Sequence, residues 1–289
     1  MISMAEKIIQ WFPGHMAKTM RQIREKLPLV DIVIEVLDAR APFSTVNPSL
    51  EELIGSKPLL YVLNKSDMSD PKYNEIFLKE LNNKHKTVLL DSLNGKKNIK
   101  IIEDAVNEVL KAKIDKAKKE GRSIYPIKAV VVGIPNSGKS TFMNNLAKRS
   151  VLSTGDRPGV TKSQQYLKAS NNLLLLDNPG ILWPKFENQE QAKLLALIGS
   201  IKDEIVPVNV VAEFGVEILK RLYPEELKER YNLTELKDIP DIMNEIGSRR
   251  GCIVKGGEIN LDRTYDIFLR DLRSGRIGRL TFERPSWII

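Results

Sequence analysis

Residues 133–141 read GIPNSGKST and fit G-x-x-x-x-G-K-[ST], the pattern of a phosphate-binding P-loop. The run before it, Ile127 to Val132, is β-branched and apolar like a buried strand, and Thr141 to Lys148 has the composition of a helix. A glycine-rich turn between such elements directs backbone N–H groups and a helix N-terminus at an anion. The alternative is an ordinary strand–helix turn, but motif and context together predict a nucleoside triphosphate site.

The polar residues of this stretch have distinct expected roles. Lys139 would reach the β- and γ-phosphates, and the hydroxyl of Ser140 would bind Mg²⁺. The expected nucleotide-binding residues of the loop are Asn136, Ser137, Gly138, Lys139, Ser140 and Thr141.

A second segment, Asn64-Lys65-Ser66-Asp67, follows the apolar run 58–63 and fits N-K-x-D. The carboxylate of Asp67 can accept hydrogen bonds from guanine N1–H and the 2-amino group, a donor pair that adenine lacks. The stem of Lys65 can cover the base, and Asn64 can tie this loop to the P-loop. Ser92 and Leu93, after the next short strand, could present a backbone N–H to guanine O6. The predicted nucleotide is therefore GTP or GDP.

Two more segments are expected to bind the metal ion and contact the γ-phosphate. Asp177 begins a D-x-P-G sequence at a strand end, where its carboxylate would hold Mg²⁺ and the N–H of Gly180 would sense the γ-phosphate. Thr161 lies in a polar, basic stretch and could bind Mg²⁺ when GTP is present. Each could be a plain loop alone, but together they predict two switch regions ordered by the γ-phosphate.

The order of these segments is unusual for a GTPase, because N-K-x-D precedes the P-loop. Strands alternate with helices through residue 200, which predicts an α/β domain (1–200) with a mostly parallel sheet flanked by helices. The expected fold is a circularly permuted P-loop GTPase domain. The termini of a compact domain often lie close together, so the chain can begin and end at another loop and still form the same sheet. Residues 201–289 have helical patterns and predict a small, mostly α-helical second domain.

Composition points to an acidic partner. The chain has 289 residues and a formal net charge of +8, and basic residues concentrate in 111–128, 148–168 and 263–284. Such clusters are either solvated faces or contacts to nucleic-acid phosphate.

Other features of the sequence indicate in which compartment the protein is expected. Cys252 is the only cysteine, which excludes an intramolecular disulfide and fits a reducing compartment. Glu6, Lys7 and Gln10 interrupt any signal-peptide core, and no apolar run approaches the roughly 18 residues of a membrane helix. We expect a cytoplasmic monomer without a membrane partner.

The ordered motifs resemble those of the circularly permuted GTPases, and the likeness extends over essentially the whole chain. The shared segments are WFPGHM (11–16), DARAP (38–42), NKSD (64–67), the P-loop, PGVT (158–161) and DNPG (177–180). This resemblance implies Mg²⁺-dependent GTP hydrolysis in late maturation of the large (50S) ribosomal subunit, stimulated by that particle. It also implies that the helical domain contacts ribosomal RNA.

Hydrolysis without a partner should be slow. A Ras-type enzyme orients the attacking water with a glutamine after D-x-x-G, and Ile181 occupies that position here. The resemblance points to His15 as the missing catalytic group, with Lys139, Thr161 and Gly180 around the phosphates. Asn136 resembles the asparagine found at this P-loop position in several GTPases that use K⁺ to offset phosphate charge. It could equally be a plain turn residue. The alternative function is a nucleotide-gated RNA-binding adaptor that acts on another RNA or the small subunit.

Overall fold

A computed structural model describes residues 13–91, 95–147, 151–154, 164–177, 180 and 188–285. Their contacts divide into two compact units, one within residues 12–184 and the other within 185–284. The division therefore falls before the helix at 189–197, whereas the sequence places the domain boundary near residue 200.

The first unit is built on a seven-stranded sheet. Its strands are β1 (Ile32–Asp38), β2 (Leu59–Asn64), β3 (Thr87–Leu89), β4 (Ile127–Gly133), β5 (Val151–Thr154), β6 (Gln164–Lys168) and β7 (Leu173–Asp177). The spatial order is β3-β2-β1-β4-β7-β6-β5. The five strands from β3 to β7 are parallel, and β6 and β5 continue the sheet in antiparallel fashion. The predicted mostly parallel sheet is confirmed.

The central strands bring the motifs to one edge. Every residue of β1 and β2 is buried, as expected for parallel strands covered on both faces. Asp38 pairs with Asn64, and Val36 pairs with Gly133. The N-K-x-D segment and the P-loop therefore leave the sheet side by side at its carboxyl edge.

Helices cover this sheet. They are α1 (Pro13–Lys26), α2 (Pro48–Ile54), α3 (Pro71–Asn82), α4 (Gly95–Val109), α5 (Lys111–Lys119) and α6 (Lys139–Leu146). The core on one face joins strand residues such as Val62 and Val131 to Ile102 of α4 and Phe142 of α6. The side-chain amide oxygen of Asn47 caps the first turn of α2, and a carboxylate oxygen of Asp70 caps the first turn of α3.

Three sequence patterns do not predict the local structure here. The dipeptide Pro13-Gly14 predicts a turn, but it is the start of α1, because proline is favoured at a first helical position. The amphipathic pattern over 99–119 predicts a single helix, but the structure has two, because the backbone leaves helical geometry at Leu110. Strand β5 lies in a stretch whose polar sequence gives no alternating pattern.

The second unit is helical, as predicted. Its helices are α7 (Gln189–Leu197), α8 (Val208–Leu222), α9 (Pro224–Tyr231), α10 (Ile239–Arg249) and α11 (Leu261–Arg273). Arg273 of α11 donates to the carbonyl oxygens of Ala196 and Leu197, which fixes α7 within this unit. The segment 280–282, which reads as a brief strand in the sequence, is buried but not a strand. In the described part of the chain, no helix is long and apolar enough to cross a membrane.

Candidate functional site

The P-loop connects β4 to α6 with two glycines that no other residue could replace without strain. A Cβ on Gly133 would lie 2.6 Å from the carbonyl oxygen of Val36, because β1 and β4 run side by side there. Gly138 adopts φ +87°, a left-handed conformation that side chains disfavour, directly before α6 begins at Lys139. The loop thus ends on a helix N-terminus, whose free N–H groups favour an anion.

A cavity of about 600 Å³ opens above this loop. It is lined by Lys65, Ile134, Pro135, Asn136, Gly138, Lys139, Ser140, Thr141, Asp177 and Gly180. Its volume lies within the roughly 300–1,000 Å³ typical of small-molecule sites. Residues from the N-K-x-D, P-loop and D-x-P-G segments therefore border one space.

Two hydrogen bonds tie the N-K-x-D segment to the P-loop. The Asn64 Nδ2 donates to the carbonyl oxygen of Ser137 at 3.0 Å, and Lys65 Nζ donates to the carbonyl oxygen of Asn136 at 2.5 Å. Both loops hold strained backbone here, since Lys65 and Asn136 have φ of 62° and 59°. The link expected of Asn64 is present, and a second one from Lys65 was not anticipated.

The ammonium of Lys65 is held by a buried carboxylate. Asp38 Oδ2 accepts from Lys65 Nζ at 2.7 Å and from Arg40 Nη2 at 2.8 Å, while Asp38 Oδ1 accepts from Arg40 Nε at 2.9 Å. Burial alone would raise the pKa of Asp38, but the charges of Arg40 and Lys65 reverse this and hold it well below its usual range. Asp38 and Arg40 therefore position Lys65 over the cavity.

The sequence assigned no role to Asp38 and Arg40, although it contains a signal for them. Charged residues at the carboxyl end of a buried strand of a parallel sheet lie at the edge where ligands bind. The DARAP segment has this position, since its first residue, Asp38, is the last residue of β1.

Lys139 and Asp177 contact each other across the cavity. Lys139 Nζ donates to Asp177 Oδ1, and Lys26, the last residue of α1, donates to the backbone oxygen of Asp177 at 2.7 Å. Burial lowers the pKa of Lys26, which Asp177 partly offsets. The residues expected at phosphate and at Mg²⁺ are thus adjacent, and α1 reaches the same strand end.

A buried carboxylate oxygen of the site fits a guanine nucleotide. Among the described residues, Asp67 Oδ1 and Ser137 Oγ have no hydrogen-bond partner. A buried carboxylate oxygen without a donor is costly, and the N–H donors of guanine would supply one. Ser140 and Asp177 both border the cavity and offer the oxygen ligands that Mg²⁺ prefers. No cluster of three His, Cys, Asp or Glu side chains that could hold a metal occurs within the described residues.

Other predicted site residues lie outside the described part. Ser92, Leu93 and Thr161 are among them, as is the side chain of His15. The backbone at His15 is described and belongs to the first turn of α1.

The chain is similar to known proteins over nearly its full length. A family model described as "50S ribosome-binding GTPase" matches residues 128–241 and so begins in β4, after the N-K-x-D segment. Ribosome biogenesis GTPase A of Bacillus cereus is 47% identical over 281 residues, covering 96% of this chain and 95% of the relative. The protein of that name from Thermotoga maritima is 31% identical over 278 residues, covering 96% and 95%.

Two solved structures are similar to this chain over nearly its full length. GNP-bound YlqF from T. maritima superposes with a TM-score of 0.70 at 25% identity, covering 93% of this chain and 98% of that one. The GDP-bound structure of the same protein gives 0.67 at 27% identity, covering 92% and 100%. With a permuted segment order, a P-loop cavity and full-length likeness in agreement, the chain is a GTPase of the ribosome biogenesis GTPase A family.

Proposed function

We propose that this GTPase acts in late assembly of the large ribosomal subunit and that the maturing particle stimulates its GTP hydrolysis. The observation that carries the proposal is the single cavity bordered by N-K-x-D, P-loop and D-x-P-G residues in a chain 47% identical to a ribosome biogenesis GTPase. In this proposal the protein is a cytoplasmic monomer that alternates between GTP and GDP on and off the particle.

The nucleotide would be held by residues from three loops. Asp67 would accept from guanine, Lys65 would cover the base, and Asn64 would keep the two loops in register. Ser92 and Leu93 would contribute a backbone N–H at guanine O6. The P-loop N–H groups from Asn136 to Thr141 would surround the phosphates.

The phosphate end would rearrange an existing ion pair. Lys139 would leave Asp177 for the β- and γ-phosphates, and Ser140, Thr161 and Asp177 would hold Mg²⁺. When bound, Mg²⁺ neutralises charge on the phosphate oxygens. The N–H of Gly180 would donate to the γ-phosphate, so that loss of this phosphate releases the segment after β7.

The water-orienting group would be His15. The side chain of Ile181 has no hydrogen-bonding group to orient a water, so a group from another segment has to do so, and we assign this role to the imidazole of His15. α1 carries His15 in its first turn and contacts the backbone of Asp177 through Lys26 at its other end, about 16 Å along the helix, so a movement of α1 would change the position of His15 relative to the site. A docked particle could reposition α1 and with it the imidazole.

Asn136 would support K⁺ binding next to the phosphates. Its backbone is held in a left-handed conformation and its carbonyl oxygen accepts from Lys65, which fixes where its side chain begins. Equal turnover in Na⁺ and K⁺ would reject this part of the proposal.

The decisive experiment measures GTP turnover in K⁺ buffer alone, with purified large subunits and with small subunits. We expect strong stimulation by large subunits only. His15→Ala should lose most of the stimulated rate, whereas His85→Ala, which removes the other histidine, should keep it. Equal rates in all three conditions would contradict the assigned partner and favour an adaptor that acts on another RNA or the small subunit.

A further inference from the structure

A basic helix borders the amino edge of the sheet, opposite the nucleotide cavity. Between residues 111 and 128 the chain has seven lysines and arginines against two carboxylates. Lys111 pairs with Asp115 at 2.7 Å, and Arg122 pairs with Glu120. By contrast, Lys116, Lys118 and Lys119 are exposed and form no ion pair with any described residue.

A cavity of about 560 Å³ lies at the same edge. Its walls come from the segments that precede β1 and β4, including Leu29, Asp31, Tyr125 and Pro126. Leu29 and Tyr125 are unusually exposed for large hydrophobic residues, with 44% and 38% of their surface accessible. A surface aromatic ring beside an apolar wall is a typical platform for a nucleobase.

The helix and the cavity form one surface. Lys113 of α5 pairs with Asp31 of the cavity wall at 2.6 Å, and the Lys128 backbone N–H donates to the same carboxylate at 2.9 Å. The one acidic group in the wall is therefore neutralised. Lys128 also lines the cavity, with its ammonium 5.7 Å from the ring centre of Tyr166.

This surface is separate from the nucleotide site. The cavity precedes β1 and β4, whereas the P-loop and N-K-x-D follow β4 and β2. Since β1 has seven residues, the two ends of the sheet are roughly 20 Å apart. The surface can bind a partner while GTP is bound.

We propose that α5 and the adjoining cavity bind single-stranded RNA, with phosphates on the lysines of α5 and an unstacked base against Tyr125. The choice of RNA rests on the proposed ribosomal function, and the single-stranded form rests on the cavity. A duplex presents phosphates without free base faces, and an acidic peptide has no base that could stack on the ring of Tyr125.

The test is fluorescence anisotropy with a labelled 12-nucleotide oligouridylate and a 12-base-pair RNA duplex as the comparison. Lys116 and Lys119 lie three residues apart and thus on one face of α5. Lys116→Gln/Lys119→Gln should weaken oligouridylate binding about tenfold at 0.15 M salt and reduce the salt slope by about 1.4, the value for two lost phosphate contacts. The matched control is Lys97→Gln/Lys100→Gln, the same spacing on exposed positions of α4.

The platform has its own pair of variants. Tyr125→Ala should weaken binding about fivefold or more, and Tyr125→Phe should keep it, because stacking requires only the ring. Circular dichroism verifies that each variant is folded.

Three results would overturn the proposal. The two double variants could bind oligouridylate with equal affinity, the duplex could bind as tightly as oligouridylate, or polyglutamate could compete as well as unlabelled oligouridylate. These titrations contain no ribosomal particles. Loss of the large-subunit stimulation described above would therefore contradict the proposed function without affecting this surface, and the reverse also holds.

Discussion

Replacing Glu35 should change how the stability of the first unit depends on pH. Glu35 lies in the middle of β1 and is fully buried. Its Oε1 accepts from the backbone N–H of Asn47 at 2.9 Å, and its Oε2 has no partner among the described residues. Burial raises the pKa of Glu35 to about 8; Glu51 adds to this, and the Asn47 hydrogen bond and Lys84 oppose it.

The magnitude follows from proton linkage. Below pH 4.5, the ordinary value for this side chain, the folded and unfolded states both hold the proton and Glu35 costs nothing. As the pH rises toward 8, only the unfolded state releases the proton, so the free energy of unfolding falls by about 1.4 kcal/mol per pH unit. The loss amounts to about 3 kcal/mol at pH 7 and levels off above pH 8 at about 5 kcal/mol.

Glu35→Gln should remove this dependence. A glutamine is neutral at every pH, and its carbonyl oxygen can still accept from Asn47. The variant should gain stability over the native protein as pH rises, by several kcal/mol between about pH 5 and 8. The control is Glu52→Gln, an exposed glutamate on α2, which should leave the profile unchanged.

Urea unfolding at a series of pH values measures the difference. Hydrogen exchange of peptides from β1 and β2 assigns the transition to the first unit, which is necessary because a chain with two units need not unfold in one step. A stability difference that stays constant across the pH range would refute the reasoning, because Glu35 would then titrate alike in both states.

Three more predictions concern single residues. Gly138→Ala should weaken GTP binding at least about tenfold, because its Cβ would lie 2.4 Å from Asn64 Nδ2 and the left-handed backbone adds about 1–2 kcal/mol of strain; unchanged affinity for a fluorescent GTP analogue would show that the Asn64 link is dispensable. Asp67→Asn should lower GTP affinity about tenfold to a hundredfold and raise the affinity for xanthosine triphosphate, whose 2-oxo group accepts a hydrogen bond from an amide. Competition binding measures both affinities, and an unaltered preference for GTP would show that Asp67 does not contact the base. Gly247→Ala should destabilise the second unit by about 1–3 kcal/mol, since its Cβ would lie 2.4 Å from Ile259 Cγ2 and 2.6 Å from Thr264 Oγ1. A calorimetric scan should show a lower Tm with basal GTP turnover retained, and an unchanged Tm would mean that the side chains of Ile259 and Thr264 move aside without cost.

The sequence predicts the sheet and its motif order because these depend on local patterns. The apolar runs ending in Asn64 and Gly133 are strands, and each delivers its motif to the carboxyl edge. A permuted order leaves such short patterns intact, so the fold class follows from them.

Contacts that depend on register could not be predicted. The Asp38 carboxylate meets Lys65 only because β1 and β2 pair Asp38 with Asn64. The contact of Lys26 with Asp177 likewise joins residues far apart in the chain. The break at Leu110 has no helix-breaking residue to mark it. The roles of His15 and Thr161 stay predictions.

The position of β1 has a consequence for synthesis on the ribosome. β1 pairs with β2 on one side and with β4 on the other, but roughly 60 residues separate the end of β2 from β4. At 5–20 residues per second, the nascent chain spends roughly 3–12 s with one edge unpaired on a strand that is entirely buried in the folded protein. Open edges of this kind invite pairing with other chains. The permutation thus creates a period during translation in which β1 has only one of its two native partners and its other edge is open to pairing with another chain.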